Sequence, residues 1–204
     1  MSRKSFLGVV AVALLSTQIA GCTGVVVGSG AAVATAALEE RGLKGAARDT
    51  FIRARINDLW FAHNAEMFQK VDLSVIEGRA LLTGIVRVQQ MRVDAVRLAW
   101  QAKGVKEVIN EIQVADKGGL NGIKVYAKDS LITTQLVGRL LFDKQVLSIN
   151  YSIETVGGII YLMGIAQDQI ELDRVTYHAR SVKYVQKVVN YARLRSDPRR
   201  FASQ

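Results

Sequence analysis

Apolar residues recur along the chain in two rhythms, and each rhythm occurs twice. Ile52, Ile56 and Leu59 stand at helical spacing, as do Ile132, Leu136 and Leu140, which puts each trio on one face of an amphipathic helix. Asp49-Thr50 and Asp129-Ser130 precede those helices and are expected to cap their N-termini. Strand alternation follows at Val71, Leu73 and Val75, and again at Tyr151, Ile153 and Thr155. Glu77-Gly78 and Gly157-Gly158 supply hairpin turns. They lead into second strands through Ala80-Leu81-Leu82 and Ile160-Tyr161-Leu162. Helices are predicted over 89–102 and 169–181, then final strands through Val105, Val108 and Ile112 and through Val185 and Val188. The predicted order is helix, strand, strand, helix, strand. The fold class is α+β, a small mixed sheet with helices on one face.

The two halves are copies. At an offset of 80, residues 49–114 align with 129–194 without a gap, and twelve positions are identical. The identities fall on turn glycines (Gly78/Gly158, Gly84/Gly164) and on apolar positions such as Ile52/Ile132 and Leu82/Leu162. Two tandem modules are therefore expected, 49–114 and 129–194, joined by a linker at 115–128 and followed by a basic tail at 195–204.

The N-terminus reads as an address. Arg3 and Lys4 precede an apolar run from Phe6 to Leu15, too short for the roughly 20 residues of a membrane span. Ile19-Ala20-Gly21 leads to Cys22, the only cysteine, and resembles a bacterial lipobox. That resemblance implies a signal peptide over 1–21, diacylation of Cys22, and a periplasmic protein on the outer membrane. Two or more acyl chains hold stably, since each buried methylene contributes about 0.8 kcal/mol. Residues 22–48 then form a lipidated linker of small residues, a flexible spacer.

Composition removes several classes of function. One cysteine excludes a disulfide within the chain and a CxxC redox pair, and two histidines disfavour a histidine metal cluster. His63 and His178 do not recur in the repeat, the carboxylates are scattered, and no phosphate loop or nucleophile elbow occurs. We read the chain as a non-enzyme without metal or cofactor. The formal charge is +9, yet each copy nets only +1. The excess lies in the linker, the tail and the N-terminal segments; for Arg193, Arg195, Arg199 and Arg200 the alternatives are lipid headgroups and bulk solvent, and a solvated tail is expected. Nucleic acid is disfavoured as a partner because the chain reads as exported.

Leu82-Thr83-Gly84, Leu162-Met163-Gly164 and Gly104-Val105-Lys106-Glu107-Val108 carry a family resemblance. Each module resembles the BON domain, and the pair behind a lipobox resembles the dual-BON envelope lipoproteins. The resemblance implies a protein whose second module binds anionic phospholipid such as phosphatidylglycerol, in support of outer-membrane integrity and division-site envelope remodelling. It also implies an aromatic residue where this chain has Leu131.

The copies differ most on the outward face of their first helix. In copy two, Leu131, Thr134, Val137, Gly138 and Leu141 lie opposite the core stripe, with Arg139 at the border. The copy-one counterparts are Phe51, Ala54, Asn57, Asp58 and Phe61. A helix apolar on both faces needs a partner on each. Lipid is one candidate, with Lys124, Lys128, Arg139 and Lys144 at headgroup depth. Packing against copy one, a protein partner in an envelope assembly or cell-wall machine, and a structural oligomer are the alternatives.

Overall fold

A computed structural model of the chain describes residues 38–115 and 122–201. Cys22 and the rest of the predicted signal and spacer up to residue 37 lie outside the described residues. The elements of copy one are α1 (Gly42–His63), α2 (Ala65–Lys70), β1 (Val71–Ile76), β2 (Arg79–Val86), α3 (Gln89–Gln101), β3 (Glu107–Asn110) and β4 (Gln113–Val114). Copy two has α4 (Gly122–Phe142), a 3-10 turn at Ser148–Asn150, β5 (Tyr151–Val156), β6 (Ile159–Ala166), α5 (Gln169–Arg180), β7 (Lys187–Asn190) and β8 (Arg193–Leu194). A second 3-10 turn, Pro198–Arg200, follows.

In each copy the central strand pairs antiparallel with its hairpin partner and parallel with the last strand, which breaks in two as β3–β4 and β7–β8. The sheets are mixed because α3 and α5 carry the chain across to a parallel return. Ile52, Ile56 and Trp60 of α1 are buried on the sheet of copy one, as are Ile132, Leu136 and Leu140 of α4 on that of copy two. Trp60, rather than Leu59, is the counterpart of Leu140. Its indole N–H donates to the Ala95 carbonyl at 3.1 Å and fixes α1 against α3.

Both first helices begin about seven residues before the expected caps. Asp49 and Asp129 are therefore helical residues, and their role is different. Asp49 accepts from the backbone N–H groups of Glu77 and Gly78 at 2.8 and 2.9 Å, and Asp129 from those of Gly157 and Gly158 at 2.7 and 2.8 Å. Both central turn residues have positive φ (Glu77 55°, Gly78 78°, Gly157 61°, Gly158 78°), as a tight right-twisting hairpin requires. Such turns leave backbone N–H groups without ladder partners, and a buried carboxylate satisfies two at once. The aspartates bolt each first helix to its hairpin.

The helices cover one face of each sheet, and the other face of each sheet covers its twin. Ile76, Leu81 and Ile109 of copy one meet Val156, Tyr161, Met163 and Ile165 of copy two in a shared core. Equivalent positions touch each other, as in a two-fold dimer. The Ser74 hydroxyl donates to Glu154 at 2.9 Å, and the Tyr191 hydroxyl to Glu111, each pair being 80 residues apart. The molecule is a four-layer sandwich, helices–sheet–sheet–helices, in which α1 and α4 lie on opposite outer sides.

In the C-terminal segment Arg195 and Arg199 are exposed as expected, whereas Arg200 is not. The Arg200 side chain is buried and donates to Glu77 at 2.8–3.1 Å, while the exposed Arg195 pairs with Glu40 at 2.9 Å.

Candidate functional site

The outward face of α4 is held in place from three directions. Its buried stripe fixes its rotation, and Asp129 fixes its start. The Thr133 hydroxyl donates to that of Thr155 at 2.7 Å, tying the helix to β5. Asp143, immediately after the last turn, lies 2.8 Å from His178 Nε2 and accepts from Arg174 at 2.8 and 3.2 Å. The His178 hydrogen bond, with a backbone bond from Gln145 and the Arg174 guanidinium, lowers the Asp143 carboxyl to a pKa of about 2. His178 is thus a clamp for the end of α4. The remaining loop is pinned by buried Glu171, which accepts from the Leu147 and Gln167 backbone N–H groups at 2.7 and 2.6 Å.

On this frame α4 presents the predicted residues together. Leu131, Thr134, Val137, Arg139 and Leu141 are all exposed. Gly138, half-buried by its neighbours, leaves a bare patch: a Cβ added there meets nothing within 4 Å. The face does not pack against copy one, because the modules meet through their sheets. Leu141 is 67% exposed and Phe142 85% exposed. Phe142 was absent from the sequence-based set, although its spacing of eleven residues from Leu131, three turns, returns it to the same face. The aromatic residue expected at position 131 is thus matched by one three turns later.

Positive charge borders the face. Arg139 and Lys144 are exposed, and Lys128 stands over the Tyr184 ring with its Nζ 5.1 Å from the centroid. Lys183 approaches the same ring at 4.8 Å. Tyr184 adopts φ 71°, an uncommon backbone for an aromatic residue, and the repeat aligns it with Gly104 at φ 99°. The side chain of Lys124 lies outside the described residues.

The matching face of α1 is also apolar but interrupted. Phe51 and Phe61 are exposed, Asp58 is exposed between them, and the Phe61 ring packs edge-on against Phe68 of α2 at 5.7 Å between centroids. His63 lies 3.6 Å from Asp94. Among the described residues no group of three or more His, Cys, Asp or Glu could hold a metal ion, and no helix is long and apolar enough to cross a membrane.

Residues 48–116 and 128–196 each match the BON domain. A protein of Anaplasma centrale described as an uncharacterized protein in the gshII 5′ region is 45% identical over 147 residues, covering 72% of this chain and 95% of its own. The osmotically-inducible protein Y of Escherichia coli is 30% identical over 145 residues, 70% of either chain. The outer membrane lipoprotein DolP of Haemophilus influenzae is 28% identical over 174 residues, 84% of this chain and 89% of its own.

Proposed function

This chain belongs to the BON-domain family, and from that membership we propose that it is an envelope lipoprotein whose second module engages anionic phospholipid through the outward face of α4. The similarity to an outer membrane lipoprotein supports the location, and the lipobox-like sequence at Cys22 supports an acyl anchor on the outer membrane. The observation that carries the lipid reading is the uncovered, uncharged centre of α4 with a cationic border. Fully burying a Leu or Phe side chain contributes about 1.5–3 kcal/mol, and each Lys or Arg near an anionic surface about 1 kcal/mol more. Partial insertion of Leu131, Leu141 and Phe142 with help from Arg139 gives modest affinity, which the tether at Cys22 raises by holding the face close to lipid. Concentration of the protein on anionic lipid is the route by which it supports outer-membrane integrity and division-site remodelling.

Residues 38–204 contain every described element and are the form to test, free of the acyl anchor. Co-sedimentation with phosphatidylglycerol-rich vesicles is expected, with little on neutral phosphatidylcholine and weakening as salt rises. The double variant Leu131→Asp, Leu141→Asp should fold, because both positions are exposed, and should release the protein from the anionic vesicles. Equal sedimentation of the double variant overturns the assignment of the face. Absence of binding by the unmodified protein favours an adaptor that docks a protein partner, for which Phe51 and Phe61 offer a second surface.

A further inference from the structure

Where the hairpin turn of copy one, the last strand of copy two and the C-terminal 3-10 turn converge, they enclose a cleft of about 190 Å³. It uses none of the residues of α4. Arg79 enters from the start of β2 and Lys106 from the approach to β3. Arg193 comes from β8, and Arg199 and Arg200 from the final turn.

The carboxylates there are already committed. Glu107 accepts from Arg79 and from Arg193, each at 2.8 Å. Glu77 is held by Arg200, and Asp197 by Arg199 at 2.6 Å. Five cations thus face three carboxylates, leaving two positive charges without a counterpart. Lys106 is exposed and is in no ion pair among the described residues. Burial first, and then the neighbouring Arg79, lower the pKa of the Arg193 guanidinium.

We propose that this cleft binds a single phosphate group, carried either by free phosphate or by a phospholipid headgroup. A dianionic phosphate matches the two unneutralised charges. Arg199 and Arg200 keep their forks on Asp197 and Glu77, so the phosphate oxygens are met by the Lys106 ammonium and by the remaining guanidinium N–H groups as charge-assisted contacts. The volume is below the 300–1,000 Å³ or so of sites for drug-sized ligands, and suits a small anion or the end of a larger molecule. Because its cations come from both modules and the C-terminal turn, the site exists only when all three are assembled. Phosphate binding therefore locks the turn and the two sheets together.

The test is isothermal titration of the full mature lipoprotein in neutral detergent at fixed chloride. The two probes are inorganic phosphate and dihexanoyl phosphatidic acid below its micelle concentration. Saturable binding is expected, weakened about tenfold by Lys106→Gln, the loss of one charge-assisted contact, with an unchanged melting temperature. Equal affinity for both probes assigns the site to free phosphate, and tighter binding of the lipid assigns it to a headgroup. No saturable binding of either probe up to about 10 mM, far weaker than two fixed cations provide, overturns the proposal. So does Lys106→Gln binding like the parent, or Lys70→Gln, at the other end of the β1–β2 hairpin, losing as much.

Discussion

The two first helices are equivalent by sequence and by fold, yet only their inward faces have been kept alike. Ile52, Ile56 and Trp60 of α1 and Ile132, Leu136 and Leu140 of α4 occupy the same three buried positions. Outward, α1 carries Asp58 between two phenylalanines, and Phe61 leans on a short helix that copy two lacks. α4 carries Gly138 in place of that acid and ends in an uncovered Phe142. Even the pair at the helix end has been inverted. His63 faces Asp94 in copy one, and at the same two positions Asp143 faces Arg174 in copy two. Complementarity is retained while its sign is free to exchange. The fold thus constrains the inward contacts and leaves the outward faces free to diverge.

The comparison is broken most severely at the aspartate bolts. Asp49→Ala strands two turn N–H groups and takes one acceptor from the Arg41 guanidinium, which donates to Asp49 at 2.7 Å and also to the Val75 carbonyl and Glu39, and should cost about 3–4 kcal/mol in denaturant unfolding. Asp129→Ala strands only the turn and should cost about 2–3 kcal/mol. Equal losses would mean that Arg41 contributes nothing to copy one.

The next contrast is Gly84 against Gly164. A Cβ on Gly84 would lie 2.2 Å from the Lys70 carbonyl oxygen at φ 114°, and one on Gly164 would lie 2.4 Å from that of Asn150 without a positive φ. Both alanine variants force backbone apart, at about 1–3 kcal/mol. Gly84→Ala adds about 1–2 kcal/mol of backbone strain, so its urea midpoint should fall further.

The intermodule seam carries its own asymmetry, Glu154 opposite Ser74. Burial, reinforced by Asp72, raises the Glu154 pKa to about 7 from an ordinary 4.5. Between those values the folded chain holds a proton that the unfolded chain has released, so stability falls as pH rises from about 4.5 through 7. Glu154→Gln should flatten that slope and stabilise the protein by about 1–3 kcal/mol at pH 8. Stability-against-pH curves of the two proteins that run parallel would remove Glu154 from the account.

The smallest effect belongs to Gly138. Its missing side chain has open space around it, so Gly138→Ala should stabilise α4 by about 0.5–1 kcal/mol through reduced freedom of the unfolded chain. Vesicle binding should survive, since alanine keeps the face uncharged. Loss of binding would show that the lipid face needs the bare backbone itself.

The repeat made the module order, the hairpins and the helix over the sheet legible, because those depend on short-range periodicity that two aligned copies report twice. It also marked the α4 face, since a departure from a shared pattern is visible without coordinates. Phe142 extends that face, three turns from Leu131 on the same side, a spacing present in the sequence. The aspartates differ from the expected caps for a physical reason: a carboxylate near a helix start resembles a cap, and only the turn 28 residues away reveals what it bonds. A clue to the seam was also present. The second strands run almost continuously apolar, Ile159-Ile160-Tyr161-Leu162-Met163 being the clearer, which is the signature of a strand buried on both faces.

The periodicity of the chain, then, dictates the two modules, their element order, the inward stripe of α4, that of α1 except for Trp60, and the residues that diverge outward. These are local properties of periodicity, turn chemistry and duplication. Tertiary structure alone decided that the sheets face each other across a pseudo-two-fold, that Arg195 and Arg200 fold back onto acids more than a hundred residues away, and that cations from both copies meet in one cleft. Those outcomes depend on which surfaces remain unpaired once each module has formed. That is a property of assembled shape and charge, to which residues far apart in the chain contribute together.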